Sequence, residues 1–151
     1  MTSNTDSPQS IDLAATPGHL IRRAHQIAVA IFAEHLSAID ITPVQFAILN
    51  ALVDSPGIDQ ISLARRVAFD AATSGSVIGR LEAKAWVVRE ADPVDRRRKL
   101  LRVTPEGAQA LASIQSTVAQ VQARILSPLS LQEQGQFVQL LARMVQGHQS
   151  D

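Results

Sequence analysis

Along the chain, apolar residues recur at helical spacing in six stretches and at strand spacing in two. From Thr16, with Pro17 at the first helical position, a long helix is expected to run to about Ala38. Leu20, Ala24, Ile27 and Ile31 make one apolar row on it, and Ile21, Ala28, Phe32, Leu36 and Ile39 make a second. Two rows on one helix predict burial on most sides, in a bundle or a subunit interface. Thr42-Pro43-Val44-Gln45 reads as a capping box and opens a helix carrying Phe46, Leu49, Ala51, Leu52 and Val53, which Ser55-Pro56-Gly57 ends. Asp59 caps a short helix with Ile61, Leu63, Ala64 and Val67 inward and Arg65 and Arg66 outward. Phe69-Asp70 is a turn and a new cap. Residues 71–85 then form a helix with Val77, Ile78 and Leu81 toward the core and Thr73, Gly75, Ser76, Gly79 and Arg80 on its small or polar outer face.

The period next changes from helical to extended. Trp86–Glu90 and Lys99–Val103 read as two short strands around the hydrophilic loop Asp92–Arg98, a β-hairpin whose loop holds three consecutive arginines. Thr104-Pro105-Glu106 opens a helix with Leu111, Ile114, Val118, Val121 and Ile125 at near-heptad spacing, ending at Ser127-Pro128. Ser130-Leu131-Gln132-Glu133 is a capping box for a last helix carrying Phe137, Leu140, Leu141, Met144 and Val145. Residues 1–15 are polar and are expected to be a flexible arm. The expected fold is therefore mainly α with a small β-hairpin wing.

A length of 151 residues fits one domain, here residues 16–151. No apolar run reaches the roughly 18 residues needed to span a bilayer, and the start lacks the basic and apolar regions of a signal peptide, so a cytoplasmic protein with no membrane partner is expected. The absence of cysteine excludes disulfides, thiolate metal sites and thiol-based redox sensing. The net charge is zero, but it is unevenly placed. Between residues 60 and 102 lie ten cations and five acids, a surplus of five positive charges that the rest of the chain cancels. Phosphate binding depends on local potential within about 10 Å, so the split points to a polyanion surface on that segment.

The order helix, short helix, turn, helix, basic hairpin is that of a winged helix-turn-helix, in which the second helix of the pair enters the major groove and the hairpin reaches the backbone and minor groove. Arginine suits both better than lysine, and this chain has 12 arginines and 2 lysines. Asp95-x-Arg97 followed by Leu101-x-Val103-Thr104-Pro105-Glu106-Gly107 resembles the wing and following helix start of the MarR (multiple antibiotic resistance regulator) family, and Arg80-Leu81-Glu82-Ala83-Lys84 resembles the end of its recognition helix. The resemblance covers about residues 17–147. It implies a homodimeric regulator of double-stranded DNA with a pseudo-palindromic operator, a DNA-binding lobe at about 42–103, and dimerisation helices at about 16–39 and 104–147. Expected DNA contacts are Arg65, Thr73, Ser74, Ser76, Arg80, Asp95, Arg96, Arg97, Arg98 and Lys99, with Asp95 holding Arg97 by an ion pair. Three positions depart from relatives, which often have arginine at Ala71, glycine at Ala85 and leucine at Trp86.

Pro17-Gly18-His19-Leu20-x-Arg22-Arg23 places His19, Arg22 and Gln26 on one helix face in an apolar segment. A guanidinium among apolar walls calls for an anion, and a carboxylate matches its fork. With Gln45-Phe46-x-x-Leu49-Asn50-Ala51-Leu52, this opening is similar to MarR members that control catabolism of aromatic acids. That resemblance implies a small aromatic carboxylate as effector, Arg22 on its carboxylate, His19 and Gln26 beside it, and Phe46, Ile48 and Phe69 as apolar walls. Release of a repressor from its operator follows as a population shift. A drug-sensing MarR regulator and a protein-binding winged helix remain open readings. An enzyme is not expected: the chain has no cysteine, tyrosine, His-Glu-x-x-His, P-loop or glycine-rich strand-to-helix turn, and no catalytic residue, metal site or cofactor is expected.

Overall fold

A computed structural model describes residues 8–149. The expected flexible arm falls partly outside them, in residues 1–7. Within the rest of that segment, Asp12 caps a short 3-10 turn at Leu13–Ala15 by accepting from the Ala14 amide at 3.1 Å. Six helices and one hairpin follow: α1 (Pro17–Leu36), α2 (Pro43–Asp54), α3 (Gln60–Arg66), α4 (Ala71–Ala83), β1 (Val87–Ala91), β2 (Lys99–Val103), α5 (Pro105–Ile125) and α6 (Leu131–Gln149). The strands are antiparallel, with Val87 opposite Val103 and Ala91 opposite Lys99. No single described helix is long and apolar enough to cross a membrane.

Local chemistry sets most of the boundaries. Thr42 and Gln45 form the reciprocal capping box, with the Gln45 amide donating to Thr42 Oγ1 at 3.1 Å. Asp59, Asp70 and Thr104 cap α3, α4 and α5 in turn, each through its side-chain oxygen. Ser130 and Glu133 cap α6 reciprocally, at 3.2 and 2.9 Å.

One core joins α2, α3, α4 and the hairpin to the facing sides of α1 and α5. Ile48, Leu49 and Leu52 of α2 meet Leu63, Ile78, Leu81 and Leu101 in it, all fully buried. On α5 the expected heptad row holds: Leu111, Ile114, Val118 and Val121 are buried and Ile125 is half-buried. On α1 only Phe32 and Leu36 are buried, whereas Leu20, Ile21 and Ile27 stand exposed. α6 buries nothing at all, and its Phe137, Leu140, Leu141, Met144 and Val145 are exposed. One inward expectation fails for a geometric reason. Leu63, Ala64 and Val67 occupy the core side of α3, which leaves Ile61 on the opposite face with Arg65, 62% exposed. Val53 is likewise exposed at the outer side of α2.

The hairpin is joined stiffly to its neighbours. The Thr104 amide donates to the Trp86 carbonyl at 2.9 Å and the Thr104 hydroxyl to the Ala85 carbonyl at 2.6 Å. Gly107 packs directly over this joint, where a Cβ would stand 2.2 Å from the Trp86 carbonyl oxygen, so only glycine fits. Ala85 takes a left-handed φ of 61°, a conformation that disfavours any residue with a Cβ. Leu101 exchanges backbone bonds of 2.9 Å with Gly57 and Ile58, which ties β2 to the α2–α3 connection.

Candidate nucleic-acid interface

α4 presents one outer face built of small and polar groups. Thr73, Ser76, Gly79 and Arg80 are exposed on it. Thr73 is set by its cap: Asp70 accepts from the Thr73 amide and hydroxyl, both at 2.8 Å, and these bonds hold the Asp70 carboxyl below the usual carboxylate range. No protein atom lies within 4 Å of where a Gly79 side chain would begin, so that position is open to an approaching partner. Ser74 is a correction. It lies one and two helical turns from Ile78 and Leu81, on the core row, and is fully buried with no hydrogen-bond partner for its hydroxyl, so it is not on the outer face.

The hairpin loop sorts its cations. Asp95 accepts from the Arg97 amide and from Arg97 Nε, both at 3.1 Å, and the Arg97 guanidinium first and the amide second hold the Asp95 carboxyl low. The Arg97 side chain is nevertheless 92% exposed, held at its root and free at its tip. Arg98, expected among the DNA contacts, is held by two acids while its side chain stays 52% exposed: its guanidinium lies 3.1 Å from Asp59 and 3.7 Å from Asp92, two carboxylates that are themselves largely shielded. Asp59 therefore caps α3 and anchors the hairpin together, and the Ser62 hydroxyl, the Ser62 amide and Arg98 hold its carboxyl at about 2.

Elsewhere in the basic segment, Arg66 is paired with Asp54, Lys84 with Asp40, Arg89 with Glu82 and Arg102 with Glu90. Among the described residues no carboxylate pairs with Arg65, Arg80, Arg96 or Lys99. These four and the Arg97 tip are thus the positive charge available to an outside anion. A notch of about 350 Å³ lies between α3 and the hairpin, walled by Asp59, Gln60, Ile61, Arg89, Arg97, Arg98 and Lys99.

Residues 39–98 match the MarR family. Over 95% of each chain, this one is 31% identical to the HTH-type transcriptional repressor NicR of Pseudomonas putida. The chain belongs to the MarR family. The structure of the PcaV transcriptional regulator of Streptomyces coelicolor in complex with its natural ligand superimposes with a TM-score of 0.86, at 36% identity over 92% of this chain and 98% of that one. Bordetella bronchiseptica BpsR, whose DNA binding is regulated by 6-hydroxynicotinic acid, gives 0.85 at 31% identity, covering 91% and 98%. In the winged helix of a MarR regulator, α3 and α4 are the helix-turn-helix and the β1–β2 hairpin is the wing.

The residues expected to hold an effector are dispersed in the single subunit. His19 and Arg22 do meet, with Arg22 Nη2 3.3 Å from His19 Nδ1, and no described carboxylate pairs with Arg22. Gln26 is taken by Arg23, whose Nη1 donates to its oxygen at 2.9 Å. Phe46 sits half-buried at the core edge, 6.3 Å from the Phe32 ring. Ile48 is a correction, being fully buried inside the core and unavailable as a pocket wall. Phe69 is half-buried in the α3–α4 turn. A separate apolar groove of about 610 Å³ runs along the outer side of α1, between Leu20, Ile21, Ala24 and Ile27 on one side and Ile125, Phe137 and Leu141 on the other.

Sequence reasoning missed Gln60, Ile61 and Arg89 at this surface. Ile61 was legible, since the spacing of Leu63, Ala64 and Val67 already places it on the outer face. Arg89 was counted as charge only, because its partners are distant in sequence.

Proposed function

We propose that the chain is a homodimeric, operator-binding repressor released by a small aromatic carboxylate. The observation that carries the ligand reading is the Arg22 guanidinium, which no described carboxylate pairs and which meets His19 at the start of α1, on a helix whose Leu20 and Ile21 are exposed. A fork of parallel N–H groups beside apolar surface binds a planar carboxylate through two bonds and leaves its ring against the hydrocarbon. The similarity to BpsR, regulated by 6-hydroxynicotinic acid, supports an acid of that class.

Dimerisation is supported by the apolar faces of α1 and α6. Leu20, Ile21, Ile27, Phe137, Leu140, Leu141, Met144 and Val145 form more apolar surface than a monomer leaves in water. A second copy of the same helices covers it by two-fold symmetry and sets two winged helices side by side, to meet successive major grooves roughly 34 Å apart. An acid that binds one lobe spacing more tightly than the other shifts the population away from the DNA-competent form.

The test is thermal melting of the purified protein with benzoate, hydroxybenzoates, hydroxynicotinates and cinnamates. A selective ligand raises Tm by mass action, and Arg22→Ala abolishes the rise while leaving DNA binding intact. No rise with any of these acids, or an equal rise in Arg22→Ala, removes the ligand reading and favours a drug-sensing regulator.

A further inference from the structure

Glu82 stands in an odd place. It lies near the end of the recognition helix, two residues beyond Arg80, on a lobe whose partner is a polyanion. A carboxylate there opposes phosphate binding unless it performs another task. Its Oε1 accepts from Arg89 Nε at 2.8 Å. Each terminal nitrogen of Arg89 makes a further bond: Nη1 with the Gln60 oxygen at 3.2 Å and Nη2 with the Gly75 carbonyl at 3.3 Å. One guanidinium rooted in β1 thus reaches α3 and α4 together.

We propose that Arg89 is a positioning residue of the DNA-reading surface, fixing the tilt of the wing against the recognition helix through Glu82, Gly75 and Gln60. Its side chain is only 27% exposed, so the bonds are less screened than those of an outer ion pair, and three of its five N–H donors are directed at protein acceptors. A two-stranded hairpin is at most marginally stable alone. β2 is tied by backbone bonds to the α2–α3 connection, and Arg89 supplies the side-chain tie on the β1 side. Wing and helix then meet DNA as one rigid surface, and operator specificity depends on their fixed separation.

The inference rests on the DNA-reading surface described above, and charge alone predicts the opposite sign for its test. Glu82→Ala removes a negative charge, so simple electrostatics predicts tighter binding to every duplex. If Arg89 positions the wing, binding to a duplex selected from a randomised library by the wild-type protein falls about tenfold, the scale of a lost charged hydrogen bond, while binding to poly(dI-dC) stays equal or rises. Glu82→Gln keeps the acceptor without the charge and restores selected-duplex binding to within about threefold of wild type. Arg89→Lys keeps the charge but cannot span three acceptors, and it behaves like Glu82→Ala. Melting temperatures are read alongside, because a purely structural role lowers Tm without changing the ratio of selected to non-specific binding. Wild-type or tighter binding of the selected duplex by Glu82→Ala, or an equal loss in Glu82→Gln, overturns the inference. Failure of the wild type to select any sequence would instead remove the DNA-reading surface itself.

Discussion

Arg97→Ala and Arg98→Ala alter adjacent residues of one loop, yet they are expected to fail in different ways. The Arg97 tip is 92% exposed and its one acid partner among the described residues, Asp95, holds it from within the loop, whereas Arg98 is 52% exposed and is clamped between Asp59 and Asp92. Each phosphate contact contributes about 0.9 to the slope of log K against log salt on duplex DNA. In the proposed dimer, with one Arg97 on each of two lobes, Arg97→Ala lowers that slope by about 1.8. The affinity deficit of the variant therefore shrinks about sevenfold when salt rises about threefold, because the lost contacts are the ones salt weakens.

Arg98→Ala removes a charge already paired with two acids and leaves two shielded carboxylates without a counterion. Its slope stays within about 0.5 of the wild type, and it loses about 1 kcal/mol of stability per subunit. Fluorescence anisotropy with a labelled duplex across a salt series gives the slopes, and urea unfolding gives the stabilities. An unchanged slope in Arg97→Ala would show that its tip is not on phosphate. The same slope change in both variants would show that the Asp59 clamp does not hold Arg98 away from DNA.

Gly79→Ala should raise stability by up to about 1 kcal/mol through helix propensity, since no protein atom is near the new methyl, yet weaken DNA binding if the duplex approaches that face; tighter binding by band shift together with a higher Tm would remove the close approach. Ala85→Gly relieves a left-handed φ of 61° and should stabilise the fold by about 1 kcal/mol, read by urea unfolding, with unchanged or lowered stability counting against strain at that joint. Asp59→Asn keeps the helix cap but loses the charge facing Arg98. Because the Asp59 carboxyl is held at about 2, below its ordinary 3.8, its ionised form stabilises the fold above pH 4 or so and that gain disappears as pH falls through about 2. The Tm gap between wild type and Asp59→Asn should narrow over that interval, and a gap constant with pH refutes the assignment.

What the sequence made legible was local. Caps at Thr42, Asp59, Asp70, Thr104 and Ser130 show themselves within four residues, because a side-chain oxygen reaches only the first-turn amides. The hairpin and the heptad row of α5 are equally local, one read from a change of period and the other from a constant one. Errors arose where a helix has two plausible faces or a charge has a distant partner. Ser74 looks like a surface residue until its spacing to Ile78 and Leu81 is weighed against its polarity, and packing decides in favour of spacing. Arg98 looks like one of three equivalent arginines, but Asp59, 39 residues earlier, takes it. Arg89 meets Gly75 and Gln60 from 14 and 29 residues away, and no periodicity reports such a junction. The effector residues are the least legible part. Arg22 and His19 meet within one helix turn, whereas Phe46 and Phe69, expected beside them, are half-buried on other elements.

The zero net charge also takes a different meaning from the structure. Of the ten cations between residues 60 and 102, six face a carboxylate: Arg66, Lys84, Arg89, Arg97, Arg98 and Arg102. Most of that segment's charge therefore fastens helices, wing and loops to one another. Arg65, Arg80, Arg96 and Lys99 remain, joined by the protruding Arg97, and they lie on the same lobe as the exposed face of α4. Five outward cations neutralise few phosphates, so one lobe alone grips any duplex weakly and loses it readily as salt rises. In the proposed dimer, two lobes joined by the apolar faces of α1 and α6 would turn the second contact into an intramolecular event, which multiplies affinity only when both half-sites stand at the right spacing. Sparse charge on each lobe would then make the spacing of the pair decisive, and the proposed effector, by changing that spacing by a few ångströms, would remove the second contact while leaving every individual arginine in place.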